Sequence, residues 1–292
     1  MNDPRPGFLP IDLYLQQPRD PQTWLIKPLL PVSGAMLLFG QPKTGKSYLG
    51  IQLANALTGH TPDFLGFPVV KSGNVLYLQL DTPRGVWSLR FEDMISKGFT
   101  YDRERLLLAD RESVEFYPFD VLNPKHCVYL RGLVSQHNPT AVIIDTLREA
   151  HSGDSDSDTS MRNVIVNMVG ICHPAALIII SHSRKTQADV DKDIMEDHRG
   201  SSYTPGRMDV ILRLTKSRLY YAGRSIEEGN LKLERQDSGL WLPKNDEAEK
   251  VALTKVLTDP TLTTMRAKAR ALAVLTSTSE EACMSRIRRA TS

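Results

Sequence analysis

Gly40-Gln41-Pro42-Lys43-Thr44-Gly45-Lys46-Ser47 follows the apolar run Ala35-Met36-Leu37-Leu38-Phe39 and leads into Tyr48-Leu49-Gly50-Ile51-Gln52-Leu53-Ala54. A glycine, four residues and then Gly-Lys-Ser is the spacing of a phosphate-binding loop, which needs a strand before it and a helix after it. The glycines let the backbone curl so that successive N–H groups face phosphate oxygens, and the helix turns its positive end to the same anion. Residues Gly40 to Tyr48 are therefore the candidate nucleotide site. Lys46 would hold the β- and γ-phosphates and Ser47 a magnesium ion, which makes ATP and Mg2+ the expected cofactors.

Outward from the loop, strands and helices alternate. Strands are expected over 35–40, 74–81, 105–109, 141–145 and 177–181, with helices over 46–58, 84–97, 125–137 and 159–172. Runs such as Ala141-Val142-Ile143-Ile144 read as strands buried on both faces of a parallel sheet, so the fold class is α/β, open and three-layered with a mostly parallel central sheet. After residue 207 the pattern shifts to short antiparallel strands at the sheet edge, over 209–215, 218–224, 230–235 and 240–242. Six prolines within residues 1–30 predict an extended lead-in rather than a helix. The polar stretch around Pro243-Lys244-Asn245-Asp246-Glu247 reads as a linker. Three units follow: a lead-in over 1–30, an ATPase domain over 31–243, and a small basic helical domain over 244–292, helix-turn-helix-like in pattern. In the acidic run Gly153-Asp154-Ser155-Asp156-Ser157-Asp158-Thr159, Asp158 or Thr159 is expected to cap the next helix, and the run itself to be a solvated loop.

Composition excludes some classes. Hydrophobic residues at 41% and charged ones at 24% allow a sizeable core and argue against wholesale disorder. A net charge of +2 gives no global nucleic-acid signature, but the chain after Pro260 carries six basic residues against two acidic ones. Cys127, Cys172 and Cys283 have no paired spacing, which fits a reducing cytosol. No apolar stretch is long enough to span a membrane and the start does not read as a signal peptide, so a cytoplasmic location is expected.

Hydrolysis of a nucleotide also needs a metal-side carboxylate, a group to activate water and a sensor of the γ-phosphate. Asp145, closing the strand 141–145, is placed to bind magnesium; a helix cap or buried turn acid is the other reading. Asp81 ends the strand 74–81 and can activate water or simply start the helix behind Thr82-Pro83. His182 follows Ile178-Ile179-Ile180-Ser181 and is either a sensor or a structural histidine. Arg199 and Arg207 flank a polar segment; either can serve a neighbouring subunit's site or make a surface ion pair.

The phosphate loop, Leu65-Gly66-Phe67-Pro68-Val69, Ile144-Asp145-Thr146-Leu147-Arg148-Glu149-Ala150-His151, Ser181-His182-Ser183-Arg184-Lys185 and Arg199-Gly200-Ser201-Ser202 together resemble the RepA-like hexameric replicative helicases of plasmids and phages, within the RecA/DnaB-type ATPase superfamily. The resemblance implies a RecA-like fold and a hexameric homo-oligomeric ring with ATP sites at subunit boundaries. It further implies single-stranded DNA, and primase or other replication proteins, as partners. By it Asp145 is the Walker B acid, His182 the sensor and Arg207, or failing it Arg199, the finger given to the next subunit. Such proteins carry a glutamate where this chain has Asp81, so slow hydrolysis is one expectation. DNA contacts would come from Arg184 and Lys185, and from Arg286, Arg288 and Arg289 in the tail, although segment 151–160 is acidic. An ATP-dependent DNA-binding or helicase-loading factor is the alternative function, and a small-molecule kinase a more distant one.

Overall fold

The computed structural model describes residues 9–16, 23–183, 202–244, 256–257, 262–276, 280, 283–284 and 287–288. In chain order it forms α1 (Ile11–Gln16), β1 (Trp24–Ile26), β2 (Leu30–Pro31), β3 (Ala35–Gly40), α2 (Lys46–Leu57), β4 (Asp63–Phe64), β5 (Phe67–Pro68), β6 (Val75–Gln79), α3 (Arg84–Ser96), β7 (Leu106–Asp110) and α4 (Pro124–His137). It continues with β8 (Ala141–Asp145), a 3-10 turn (Leu147–Ala150), α5 (Asp158–Cys172), β9 (Ala176–His182), α6 (Tyr203–Arg207), β10 (Val210–Leu214), β11 (Arg218–Gly223), β12 (Ile226–Arg235), β13 (Trp241–Pro243) and α7 (Met265–Thr276).

Nine strands make one sheet in the order β13-β12-β11-β10-β3-β9-β8-β6-β7. From β10 to β7 all neighbours are parallel, while β11, β12 and β13 add an antiparallel meander. Each central strand is apolar on both faces, and the two-residue period of a strand divides its side chains between two cores. Met36, Leu38, Ile143, Ile178 and Ile180 face α2 and α3. Leu37, Phe39, Val142, Ile144, Leu177 and Ile179 face α4 and α5. This is the three-layer α/β arrangement that the alternating pattern predicts, and it puts the phosphate loop at the carboxyl ends of the parallel strands, between β9 and β10.

Two expectations are corrected. The lead-in is not wholly extended: Ile11–Gln16 is helical, because Pro10 precedes the helix instead of interrupting it and its carbonyl accepts from Tyr14 N at 2.9 Å. Further along the lead-in, β1 and β2 form a hairpin whose Leu25, Ile26, Leu29 and Leu30 are fully buried in the α2-side core. The cap of α5 is Ser157, whose hydroxyl accepts from Ser160 N, one residue before the two proposed. In the tail, Val256, Ala269, Leu272, Cys283 and Ile287 form a small apolar cluster of their own. Among the described residues, no helix is long and apolar enough to cross a membrane.

The meander closes back on the nucleotide loop. The Gln52 side chain of α2 grips the backbone of Trp241 twice, Nε2 donating to its carbonyl and Oε1 accepting from its N–H, each at 2.8 Å. Gln52→Ala removes both bonds and is expected to cost about 1–3 kcal/mol of stability, read as a shift in the midpoint of urea unfolding.

Candidate functional site

Gly40 ends β3 squeezed between its neighbours, paired with His182 of β9 and Leu214 of β10; a Cβ there would collide with the Leu214 carbonyl oxygen. Gly45 turns the loop into α2 at φ +91°, a conformation that favours glycine, and a Cβ on it would meet the Trp241 ring at 3.0 Å. The Trp241 indole N–H donates to the Gly45 carbonyl at 3.4 Å. The loop is thus shaped by glycines that other residues could not replace, and backed by the far end of the domain.

Lys46 is only 6% exposed. Its Nζ donates to the carbonyls of Gly40 and Gln41, each at 2.9 Å. Burial lowers its pKa to about 8, against the partial relief given by the negative charges of Asp145 and Asp81. The hydrogen-bond partners of this buried cation are two loop carbonyls, and the phosphates of a nucleotide would supply it with a charged partner. Binding such an anion restores the ammonium's preference for its proton, so above pH 8 binding takes up a proton. ATP affinity is expected to be flat below pH 8 and to fall about tenfold per pH unit above it, measured with a fluorescent ATP analogue. The sign for folding is opposite. The unfolded chain holds the proton more tightly, so without nucleotide the lysine's contribution to stability improves as pH rises from 8 towards 10.5.

Asp145 is buried at the end of β8, directly opposite Gln79 in the parallel register. Its Oδ2 accepts from the Tyr77 hydroxyl and from Gln79 Nε2, each at 2.9 Å, and the Ser47 hydroxyl also bonds to the carboxylate. Burial pushes the Asp145 carboxyl up; the bonds from Tyr77, Ser47 and Gln79 pull it down, and the charge of Asp81 raises it further. The Ser47 hydroxyl and the Asp145 carboxylate are the hard oxygen donors that magnesium requires, so this pair could hold the ion. β6 stops at Gln79, so Asp81 does not end the strand as expected but lies exposed in the bend two residues beyond it, close enough for its charge to act on both Lys46 and Asp145. His182 is half-buried and level with Gly40.

Lys46, Ser47, Asp145, Asp81 and His182 therefore converge, whereas Arg207 does not join them. It lies exposed two residues before Asp209, which hydrogen-bonds to Ala35 at the opposite end of β3 from Gly40. Arg199, Arg184, Lys185, Arg286 and Arg289 lie outside the described residues; Arg288 is exposed on a helical turn of the tail. A cavity of about 270 Å3 opens beside His182, walled by Arg148, His151, Asp154, Asp156 and Thr204.

Sequence reading missed Tyr77, Gln79, Gln52 and Trp241. Gln79 had a signal: it is a polar residue inside the apolar run Val75–Leu80, two positions before Asp81. Also unforeseen is the packing of Tyr48, whose ring lies 4.0 Å from the Arg235 guanidinium and 5.3 Å from that of Arg90.

A phosphate loop at the carboxyl edge of a doubly covered parallel sheet, with a buried lysine and a carboxylate on the second strand away, defines a P-loop ATPase of RecA-like fold. The AAA domain family AAA_25 matches residues 4–188, and the chain belongs to that family. No curated relative matches it. Among solved structures, the ATPase domain of G40P is similar at 14% identity and a TM-score of 0.54, over 73% of this chain and 85% of that one. A DnaB-like replicative helicase, solved in a study of its interactions with primase, is similar at 12% identity and a TM-score of 0.53, over 73% of this chain and 58% of that one. At these identities the likeness concerns the fold.

Proposed function

We propose that the protein is a nucleic-acid-dependent ATP hydrolase of the ring-forming replicative helicase type, with its ATP sites completed at subunit boundaries. The observation that carries this is the buried Lys46 at the phosphate loop, with Asp145 and Asp81 close enough for their charges to act on it. On this reading Lys46 leaves the Gly40 and Gln41 carbonyls to hold the β- and γ-phosphates. Ser47 and Asp145 hold Mg2+, which when bound neutralises charge on the phosphate oxygens. Asp81 accepts the proton of the attacking water, His182 contacts the γ-phosphate from β9, and Arg207 meets the transferring group on the adjacent copy. Kinship in fold with the ATPase domain of G40P and with a DnaB-like helicase supports the choice among RecA-like activities.

A second reading has its own support. Asp154, Asp156 and Asp158 are exposed on the segment behind Asp145, where they repel a nucleic-acid backbone, and Asp81 is a short carboxylate for its task. Both suit an ATP-dependent DNA-binding or loading factor with weak turnover. Steady-state ATP hydrolysis with and without single-stranded DNA separates the two. The motor reading expects strong stimulation, followed by strand separation in an unwinding assay. Turnover indifferent to DNA would count against any nucleic-acid coupling, and tight ATP binding with negligible turnover selects the loader.

A further inference from the structure

Gln79 is fully buried at the end of β6 and uses both halves of its amide on opposite partners. Its Nε2 donates to Asp145 Oδ2 at 2.9 Å, while its Oε1 accepts from the backbone N–H groups of Asp81 at 2.8 Å and Thr82 at 3.1 Å. Backbone amides only donate, so the amide oxygen must face them and the NH2 must face the carboxylate; the orientation is fixed by the partners. We propose that Gln79 is a positioning residue that sets the spacing between the Asp145 and Asp81 carboxylates, acting as a tie between the metal side and the water side of the site.

The inference rests on the hydrolytic reading. Its logic is geometric: any displacement of Asp145 Oδ2, such as a metal held by Ser47 and Asp145 would impose, draws on an amide whose other end holds the peptide carrying Asp81. The neighbouring Tyr77 is a built-in comparison. Its hydroxyl bonds to the same Asp145 oxygen at 2.9 Å, and no bond joins it to residues 81 and 82. Losing Tyr77's bond loosens Asp145 alone; losing Gln79 also releases the Asp81 backbone.

The test compares full-length wild type, Gln79→Met and Tyr77→Phe by kcat at saturating ATP and Mg2+ and by the Mg2+ concentration giving half-maximal binding of a non-hydrolysable ATP analogue. A third readout is hydrogen exchange at the Asp81 and Thr82 amides with and without Mg2+ and the analogue. Both variants are expected to need several-fold more Mg2+. Only Gln79→Met is expected to lose about 10- to 100-fold in kcat, as a misplacement near 1 Å does, and only it should abolish the Mg2+-dependent change in exchange at 81 and 82. Equal kcat losses in the two variants, or wild-type kcat in Gln79→Met, would overturn the tie. If Gln79→Met does not fold, Gln79→Asn, whose amide is one methylene too short to reach both partners at once, takes its place with the same expected kcat loss. A wild-type chain that binds the analogue without turnover removes the hydrolytic reading; the exchange change then decides the tie by itself, its absence in wild type overturning it.

Discussion

Lys46→Ala is expected to lower ATP turnover by about two to three orders of magnitude, the loss typical of deleting one preorganised charge donor at a developing oxyanion. The effect is on chemistry more than on folding. Lys46 is a buried cation whose hydrogen bonds go to two loop carbonyls and whose pKa burial lowers to about 8. Its removal costs the folded chain little and relieves a buried charge. The variant should therefore unfold at a midpoint equal to or above that of wild type near pH 7, while steady-state hydrolysis with single-stranded DNA falls to background. A variant that lost stability and activity together would show instead that the lysine's bonds shape the loop.

Asp81→Glu is expected to change turnover in the other direction, by up to about a hundredfold. One added methylene moves the carboxylate outward by about 1.5 Å. The backbone at 81 is held by Gln79, so the extension is delivered to the tip of the side chain rather than absorbed by the strand. Asp81 is exposed, so the larger side chain meets no packed core. Nucleotide affinity should stay the same and kcat alone should rise, measured by steady-state hydrolysis at saturating ATP. Unchanged kcat would mean that proton transfer to residue 81 does not limit the reaction, and would favour release or subunit motion as the slow step.

The fold was legible because its signal is repeated. Each central strand is an apolar run bounded by turn residues and followed by a helical pattern, and the phosphate loop has a spacing that few other structures use. The segment before residue 31 was misread for a local reason. Its prolines exclude helix at their own positions, but Ile11–Gln16 contains none, and the apolar residues at 25, 26, 29 and 30 find a core that local composition does not reveal. Asp145 and His182, which end strands, and Asp81, two residues beyond one, could be picked out because strand ends are where side chains leave the sheet. Tyr77, Gln79 and Trp241 could not, since their importance lies in partners distant in sequence: Asp145 is 68 positions from Tyr77, and Gly45 is 196 from Trp241.

That last separation bears on how the protein is made. The indole that backs the loop, and the strand gripped by Gln52, follow the loop by almost 200 residues. Contacts so distant in sequence form late and slowly. A nascent chain on the ribosome would carry every residue of the phosphate loop for most of its synthesis without the surface against which that loop rests.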